Sequence, residues 1–456
     1  MKLSDRVRQA IEEQSKQESL TKRPSARAKA DEGSFDPLSG YKQRVQEALY
    51  EKLGPEAFST DRGEAGLRRA VGAELRRFIS EEGVPLDPEE TEGLVAEITE
   101  NILGFGPVQR FLEDETVTEI MVNGSTPIFI ERDGRIVETT SRFVDDSHLL
   151  RVIDRIVSLV GRRIDEASPM VDARLADGSR VNAVIPPLSV DGPTLTIRKF
   201  SRSPYEVSDL IKFGTLTDEI ADFLRICVEA RLNILISGGT GTGKTTLLNV
   251  LSGFIPGDQR IVTIEDAVEL QLHQRHVVRL ESRPPNIEGK GMVTIRDLVR
   301  NTLRMRPDRI VVGEVRGAEA LDMLQAMNTG HEGSLSTLHA NRPRDALSRL
   351  ETMVLMAGVD LPIKAIRDYV ASAISLIVHL GRLKDGSRKI TQIAEITGME
   401  GETINLQDLF RFEYARGASP DGKVGGAIRA TGIRPLFSEH LEDLGYELVP
   451  TLFESG

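Results

Sequence analysis

Apolar residues recur every four positions at Tyr41, Val45, Leu49 and Leu53, and every three or four at Leu67, Val71, Leu75 and Phe78. That spacing lines one face of a helix. Pro55, Gly63, Pro85 and Pro88 punctuate the segment, so a small helical bundle is predicted over residues 41–103. Ahead of it, residues 1–40 are polar and mixed in charge and read as a flexible tail. Leu3, Val7 and Ile11 support the alternative of a short helix over Met1–Glu13. From Gly104 the period falls to two. Thr118–Val122 and Pro127–Glu131 read as strands, with Asp133-Gly134 as a hairpin turn into Arg135–Glu138. His148–Val160 places Leu149, Ile153, Ile156 and Val160 along one side of a helix. After Asp177-Gly178, the strands Arg180–Ile185 and Thr194–Phe200 complete an α+β domain over 104–203. Ser201–Leu210 reads as a linker. Beyond it, apolar strand-length runs alternate with helical stretches, the pattern of a parallel α/β domain over 204–414. Residues 415–456 start Gly-rich and read as a short C-terminal appendage.

Composition adds constraints. Hydrophobic residues are 39% and charged residues 28% of the 456, a balance that can bury sizeable cores. Lys plus Arg number 58 against 70 Asp plus Glu, a formal charge of −12. That charge disfavours general nucleic-acid binding, leaving only a local basic patch open. Cys227 is the single cysteine, which excludes an intrachain disulfide and a four-cysteine zinc module and points to a reducing compartment. No apolar run approaches the ~20 residues that span a bilayer, and Ala373–Leu380 has the length of a core strand. Met1–Lys16 has no apolar signal region. The expectation is a soluble, cytoplasmic, multidomain protein.

The strongest chemical signal is Gly238-Gly239-Thr240-Gly241-Thr242-Gly243-Lys244-Thr245, which fits G-x-x-x-x-G-K-[ST] in full. An apolar run, Leu232–Ile236, precedes it and a helical stretch from Thr246 to Leu251 follows. Strand, glycine loop and helix N-terminus make an anion site, where backbone N–H groups and the helix dipole meet phosphate. Lys244 is expected on the β- and γ-phosphates of ATP, and the Thr245 hydroxyl on Mg²⁺.

A P-loop ATPase usually carries an aspartate at the end of a second strand. Here Arg309-Ile310-Val311-Val312-Gly313-Glu314 puts Gly313 at that position, and the acid follows as Glu314. Ile261-Val262-Thr263-Ile264-Glu265-Asp266 supplies a further acid pair. Functional residues of parallel sheets gather at the C-terminal strand ends, so Glu265, Asp266 and Glu314 are candidates to share the metal and the water. As the alternative, strand ends also attract N-caps and turn residues, a reading that weighs most on Asp266. His331 and His339 are candidates of a weaker kind, since a neutral imidazole could sense a phosphate while a lone histidine is more often structural.

The order of these motifs resembles the secretion-ATPase superfamily of type II and type IV secretion and type IV pili. Its marks are the glycine loop, an aspartate box (Thr263–Glu269), an atypical strand with Gly313-Glu314 inside Arg306–Arg316, and a histidine box (Thr329–Asn341). Leu103–Pro107, Val117–Gly124, Glu131–Arg135, Arg174–Asn182 and Ala430–Pro435 look like the CpaF branch, which powers Flp (tight-adherence) pili. The resemblance implies a RecA-like ATPase domain preceded by a PAS-like α+β domain, assembled as a homohexamer. It implies ATP and Mg²⁺ as ligands, with a cytoplasmic location peripheral to the inner membrane. Membrane contact would be indirect, through a platform protein. It also implies Glu314 and Glu265 as catalytic acids, His339 as part of the histidine box, and arginines of the preceding domain closing on the phosphates. Arg174, Arg180 and Arg198 are the matches for those arginines, with ordinary salt bridges as the alternative reading. A second role within the superfamily is a traffic ATPase for conjugation or protein secretion. A nucleotide-gated scaffold is a further class, disfavoured because a pure binder has no need of Glu314. A small-molecule kinase and a helicase have less support still.

Overall fold

A computed structural model describes residues 63–81, 87–132, 134–143, 145–200, 204–285, 290–415 and 424–454. The expected tail over 1–40, residues 41–62 of the helical segment, Asp133 and most of the glycine-rich stretch after 415 lie outside the described residues. The chain divides into two compact units, Met1–Phe200 and Ser201–Gly456.

The described residues of the first unit begin with α1 (Gly63–Glu81) and α2 (Pro88–Leu103). Val71, Leu75 and Ile79 of α1, and Leu94, Val95 and Ile98 of α2, are buried at helical spacing. Asp87 starts α2 with a capping box: its Oδ1 accepts from Glu90 N at 2.8 Å, and Glu90 Oε2 accepts from Asp87 N at 3.0 Å. After a short α3 (Gln109–Glu113) come β1 (Val117–Asn123), β2 (Pro127–Arg132), β3 (Arg135–Arg142), α4 (Asp146–Leu159), β4 (Met170–Arg174), β5 (Arg180–Val184) and β6 (Thr194–Arg198). The six strands form one antiparallel sheet in the order β3-β2-β1-β6-β5-β4. Leu149, Val152, Ile153, Ile156 and Val157 of α4 pack with the inward residues of the sheet, among them Ile120, Ile128, Val181, Leu195 and Ile197. β4 is the strand the hydrophobic pattern does not announce. It is short and at the sheet edge, with one buried position, Val171.

The second unit carries α5 (Val207–Lys212), α6 (Asp218–Glu229), β7 (Ile234–Gly238), α7 (Lys244–Ser252), β8 (Ile261–Glu265), β9 (Val277–Glu281), α8 (Ile295–Thr302), β10 (Arg309–Val315), α9 (Glu319–Asn328) and β11 (Leu335–His339). It continues with α10 (Pro343–Met356), α11 (Ile363–Ala373), β12 (Leu376–Arg382), β13 (Arg388–Glu400), β14 (Thr403–Tyr414), β15 (Gly426–Ala430) and α12 (Ser438–Asp443). One nine-stranded sheet runs β15-β14-β13-β12-β7-β11-β10-β8-β9. From β12 to β9 all neighbours are parallel, while β12–β13, β13–β14 and β14–β15 are antiparallel. The sequence reading of a parallel α/β domain therefore covers only part of this sheet. Short turns join β12 to β13 and β13 to β14, and a short turn can only reverse a strand. β7 and β8 are buried along their whole length because helices cover both faces. Ile234 and Ile236 pack with α6 and α7 on one face, and Leu235 packs with α9, α10 and α11 on the other. Residues after β15 are no separate appendage: Leu441, Leu448 and Phe453 belong to the same core as Ile234.

Candidate active site

Strand order decides which side chains meet at the C-terminal edge of the large sheet. β7 delivers the glycine loop; β11, ending at His339, lies beside it; then come β10 with Glu314 and β8 with Glu265. The loop is shaped by its glycines. A Cβ on Gly238 would lie 2.6 Å from the carbonyl oxygen of Leu380 on β12. Gly241 and Gly243 adopt φ of +68° and +93°, which suit only glycine well. Gly239 accepts from Thr242 Oγ1 at 3.0 Å and from Lys244 Nζ at 2.9 Å, while Thr240 is exposed. α7 starts at Lys244, so Thr245 and Thr246 contribute first-turn N–H groups that have no partner within the helix. Lys244 is partly buried; burial lowers its pKa, and the Glu314 carboxylate pulls it back up.

The acids differ in surroundings. Glu265 is 3% exposed. Its Oε2 accepts from the backbone N–H groups of Glu269 (2.8 Å) and Leu270 (3.0 Å), whereas Oε1 is buried with no hydrogen-bond partner among the described residues. Burial raises its pKa to about 7, against the pull of those two bonds. Gly313 has a steric function here: a Cβ on it would lie 2.9 Å from Glu265 Cγ. The Gly313 carbonyl accepts from Thr337 Oγ1 at 2.7 Å, tying β10 to β11.

Glu314 and Asp266 share a cation that the sequence reading did not assign a role. Arg316 donates to Glu314 Oε2 at 2.6 Å through Nη2 and to Asp266 Oδ2 at 3.1 Å through Nη1. Its pKa is raised, chiefly by the Glu314 bond. Asp266 also accepts from Ser282 Oγ at 3.1 Å. The signal was present as an arginine two residues after Glu314, but its reach to Asp266 depends on β10 lying beside β8.

The two histidines of the histidine box are placed apart. His339 ends β11 opposite Gly238. Its pKa is lowered by burial and by the positive charge of Lys244. His331 precedes β11, at the other edge of the sheet from the glycine loop. A different histidine lies under the loop. His379 of β12 is buried, with its Nδ1 2.8 Å from Ser237 Oγ on β7, and burial lowers its pKa. Nothing in the local sequence singles it out; only the β7–β12 register brings it there.

In the first unit, strand register gathers the three arginines. Arg174 faces Arg180 across β4–β5, and Arg180 faces Arg198 across β5–β6. Their strand neighbours Val181 and Ile197 point into the core, so the row lies on the opposite face of the sheet. Arg174 Nε donates to the Gly178 carbonyl at 3.4 Å, and Arg198 lies 4.0 Å from Glu119.

The residues present fit a magnesium nucleotide. The left-handed glycines and the α7 N-terminus suit phosphate. A threonine hydroxyl and carboxylate oxygens are the hard donors that Mg²⁺ takes, and Glu265 Oε1 is a buried oxygen without a hydrogen-bond partner among the described residues.

Residues 101–412 match the family described as type II/IV secretion system protein. A Mycobacterium tuberculosis H37Rv protein named for conjugal transfer is 37% identical over 326 residues, 70% of this chain and 91% of its own length. The type IV secretion system protein PtlH of Bordetella pertussis is 37% identical over 301 residues, 60% of this chain and 87% of its own. Among solved structures, the VirB11 ATPase of the Brucella suis type IV secretion system, determined with sulphate, is 30% identical. It covers 63% of this chain and 95% of that one, with a TM-score of 0.36. With the matched span running from the end of α2 through the glycine loop, the acid-tipped strands and His339, the chain belongs to the type II/IV secretion system protein family.

Proposed function

We propose that the chain is a motor ATPase that hydrolyses ATP to ADP and phosphate and converts the cycle into movement. The observation that carries this is the adjacency, at the ends of four neighbouring strands, of the glycine loop leading to Lys244 and of His339, Glu314 and Glu265. Lys244 and the N–H groups of the loop hold and neutralise the phosphates. Glu314 orients the attacking water. Glu265, poised near neutrality, takes up a proton and returns it. Mg²⁺, held by Thr245 with Asp266, Glu265 or Glu314 nearby, supplies charge neutralisation on the phosphates when bound. Arg316 competes for the same carboxylates, so its release from Glu314 accompanies formation of the reactive site. The arginine row of the first unit contributes positive charge to the phosphates when the domains close in a homohexamer, and closure couples chemistry to motion.

The sequence motifs of the first unit favour Flp pilus assembly through an inner-membrane platform. The family and the names of the relatives equally favour a conjugation-type or secretion traffic ATPase. Among the described residues no helix is long and apolar enough to cross a membrane, which suits a peripheral position at a platform protein. Lys244→Ala and Glu314→Ala are each expected to abolish turnover, with Glu314→Ala still binding ATP. Phosphate release and equilibrium nucleotide binding on the purified full chain check this. Turnover retained in Glu314→Ala would remove that residue from catalysis. Deletion in the host, scored for surface pili and for conjugal or protein transfer, separates the two cargo readings.

A further inference from the structure

We propose that Arg382 and Arg388 form a second cationic wall of the nucleotide site, binding the diphosphate of ATP and ADP from within the same subunit. This rests on the ATPase reading above. The two residues face one another across β12 and β13. β12 lies beside β7 in parallel, with Leu380 opposite Gly238, so its continuation to Arg382 runs alongside the glycine loop. A methyl group on Gly241 would lie 3.9 Å from Arg382 Nη1, and one on Gly243 would lie 3.7 Å from Arg388 Cδ. Both arginines thus border the two left-handed glycines whose N–H groups cradle phosphate.

The turn between them is held from several sides. Leu383 N donates to Ser387 O at 2.8 Å, and Gly386 N to Leu383 O at 3.0 Å. Asp385 accepts from Ser387 N and Oγ, at 2.9 and 2.7 Å, and from Val424 N at 2.8 Å. The acid inside the turn is therefore already engaged by these donors. Thr215 Oγ1 donates to the Arg388 carbonyl at 2.8 Å, and Lys389 Nζ donates to the carbonyls of Phe213 (3.0 Å) and Gly214 (2.7 Å). Among the described residues Arg388 forms no ion pair. Arg382 and Arg388 stand on directly opposed positions at the base of this turn. A rigid turn presenting such a pair beside a phosphate loop is arranged for a polyanion. Arginine is the residue suited to it, because its planar fork pairs with two phosphate oxygens at once.

The test measures Mg-ADP and a non-hydrolysable ATP analogue binding to the full chain and to R382Q, R388Q, the double variant, R382K/R388K and K244A. Thermal melting confirms folding of each, and R411Q serves as a surface-charge control. The expected result is about tenfold weaker ADP binding in each Gln variant and roughly a hundredfold in the double, with most affinity kept in the Lys pair. Adenosine, which lacks the diphosphate, is expected to bind all variants alike, and kcat at saturating ATP to stay within about threefold while KM rises. ADP binding by the double Gln variant within twofold of wild type overturns the inference and leaves the ATPase reading standing. A fall in kcat with unchanged ADP affinity overturns it too, since the arginines would then act elsewhere in the cycle. Failure of the wild type itself to bind either nucleotide overturns both.

Discussion

Gly313 stands where a P-loop ATPase usually has aspartate, and its missing side chain makes room for Glu265. Restoring the common residue is therefore expected to be harmful. Gly313→Ala and Gly313→Asp should each displace Glu265, at a cost of about 1–3 kcal/mol from overpacking, with turnover lost in both. Denaturant melts and phosphate release check this; full activity in Gly313→Ala would show that Glu265 has slack. Glu265 itself makes stability depend on pH. Its folded pKa, about 7, is raised above the ordinary carboxylate value of 4.5. Between those two values the folded protein keeps a proton that the unfolded chain has released. Stability is thus highest below the lower value and falls as pH rises through the window. Glu265→Gln removes the titration while its amide oxygen still accepts from Glu269 and Leu270. Its stability relative to wild type is expected to grow by on the order of 2–3 kcal/mol between pH 4.5 and 8, read from urea melts. A constant difference across that range would mean that Glu265 titrates in the folded state as it does in the unfolded chain. The sequence displayed Gly313 as a departure from pattern, but not the reason, because the clash is with a residue on another strand.

At the scale of elements, the histidine box serves two ends of one strand. Thr337 and His339 sit toward the C-terminal edge of the sheet, beside the glycine loop, whereas Gly330–Ser334 leads into β11 at the far edge. There Arg309, fully buried at the start of β10, donates to Gln259 Oε1 at 2.6 Å and to the carbonyls of Gly333 (3.1 Å) and Glu229 (3.4 Å). Burial pushes its pKa down to about 10. A Cβ on Gly333, at φ +78°, would lie 1.7 Å from Arg309 Nη1 and 2.9 Å from Arg231 Cα. Gly333→Ala is expected to cost about 3 kcal/mol or more through strain and displacement of Arg309. A melting temperature within a degree of wild type would contradict that. The motif was legible as a unit. Its division was not, since a contiguous run does not say which of its residues lie at which end of a strand.

At the scale of the whole molecule, the C-terminal residues are core. Glu395 of β13 is buried and accepts from Leu436 N at 2.9 Å and Phe437 N at 3.1 Å, pinning the chain as it leaves the sheet. Phe453 then packs edge-on to Phe223 at 5.8 Å, and both rings meet Phe410. Phe453→Ala is expected to cost about 3–5 kcal/mol. Deletion of residues 432–456 is expected to abolish cooperative melting of the second unit, as followed by calorimetry; an unchanged transition would show the segment to be dispensable.

The parts of the candidate site that were readable in the sequence are the local ones. A glycine loop needs its left-handed turns, its lysine and its helix start within a few residues, and strands tipped with acid declare themselves by apolar runs ending in Glu265 and Glu314. The tertiary structure alone decided the neighbours. Strand order put β11 and β10 between the loop and Glu265, register aligned Arg174 with Arg180 and Arg198, and pairing of β12 with β7 set His379 beneath Ser237. Those choices follow from burying both faces of one sheet at once, and that energy is shared among segments far apart in the chain.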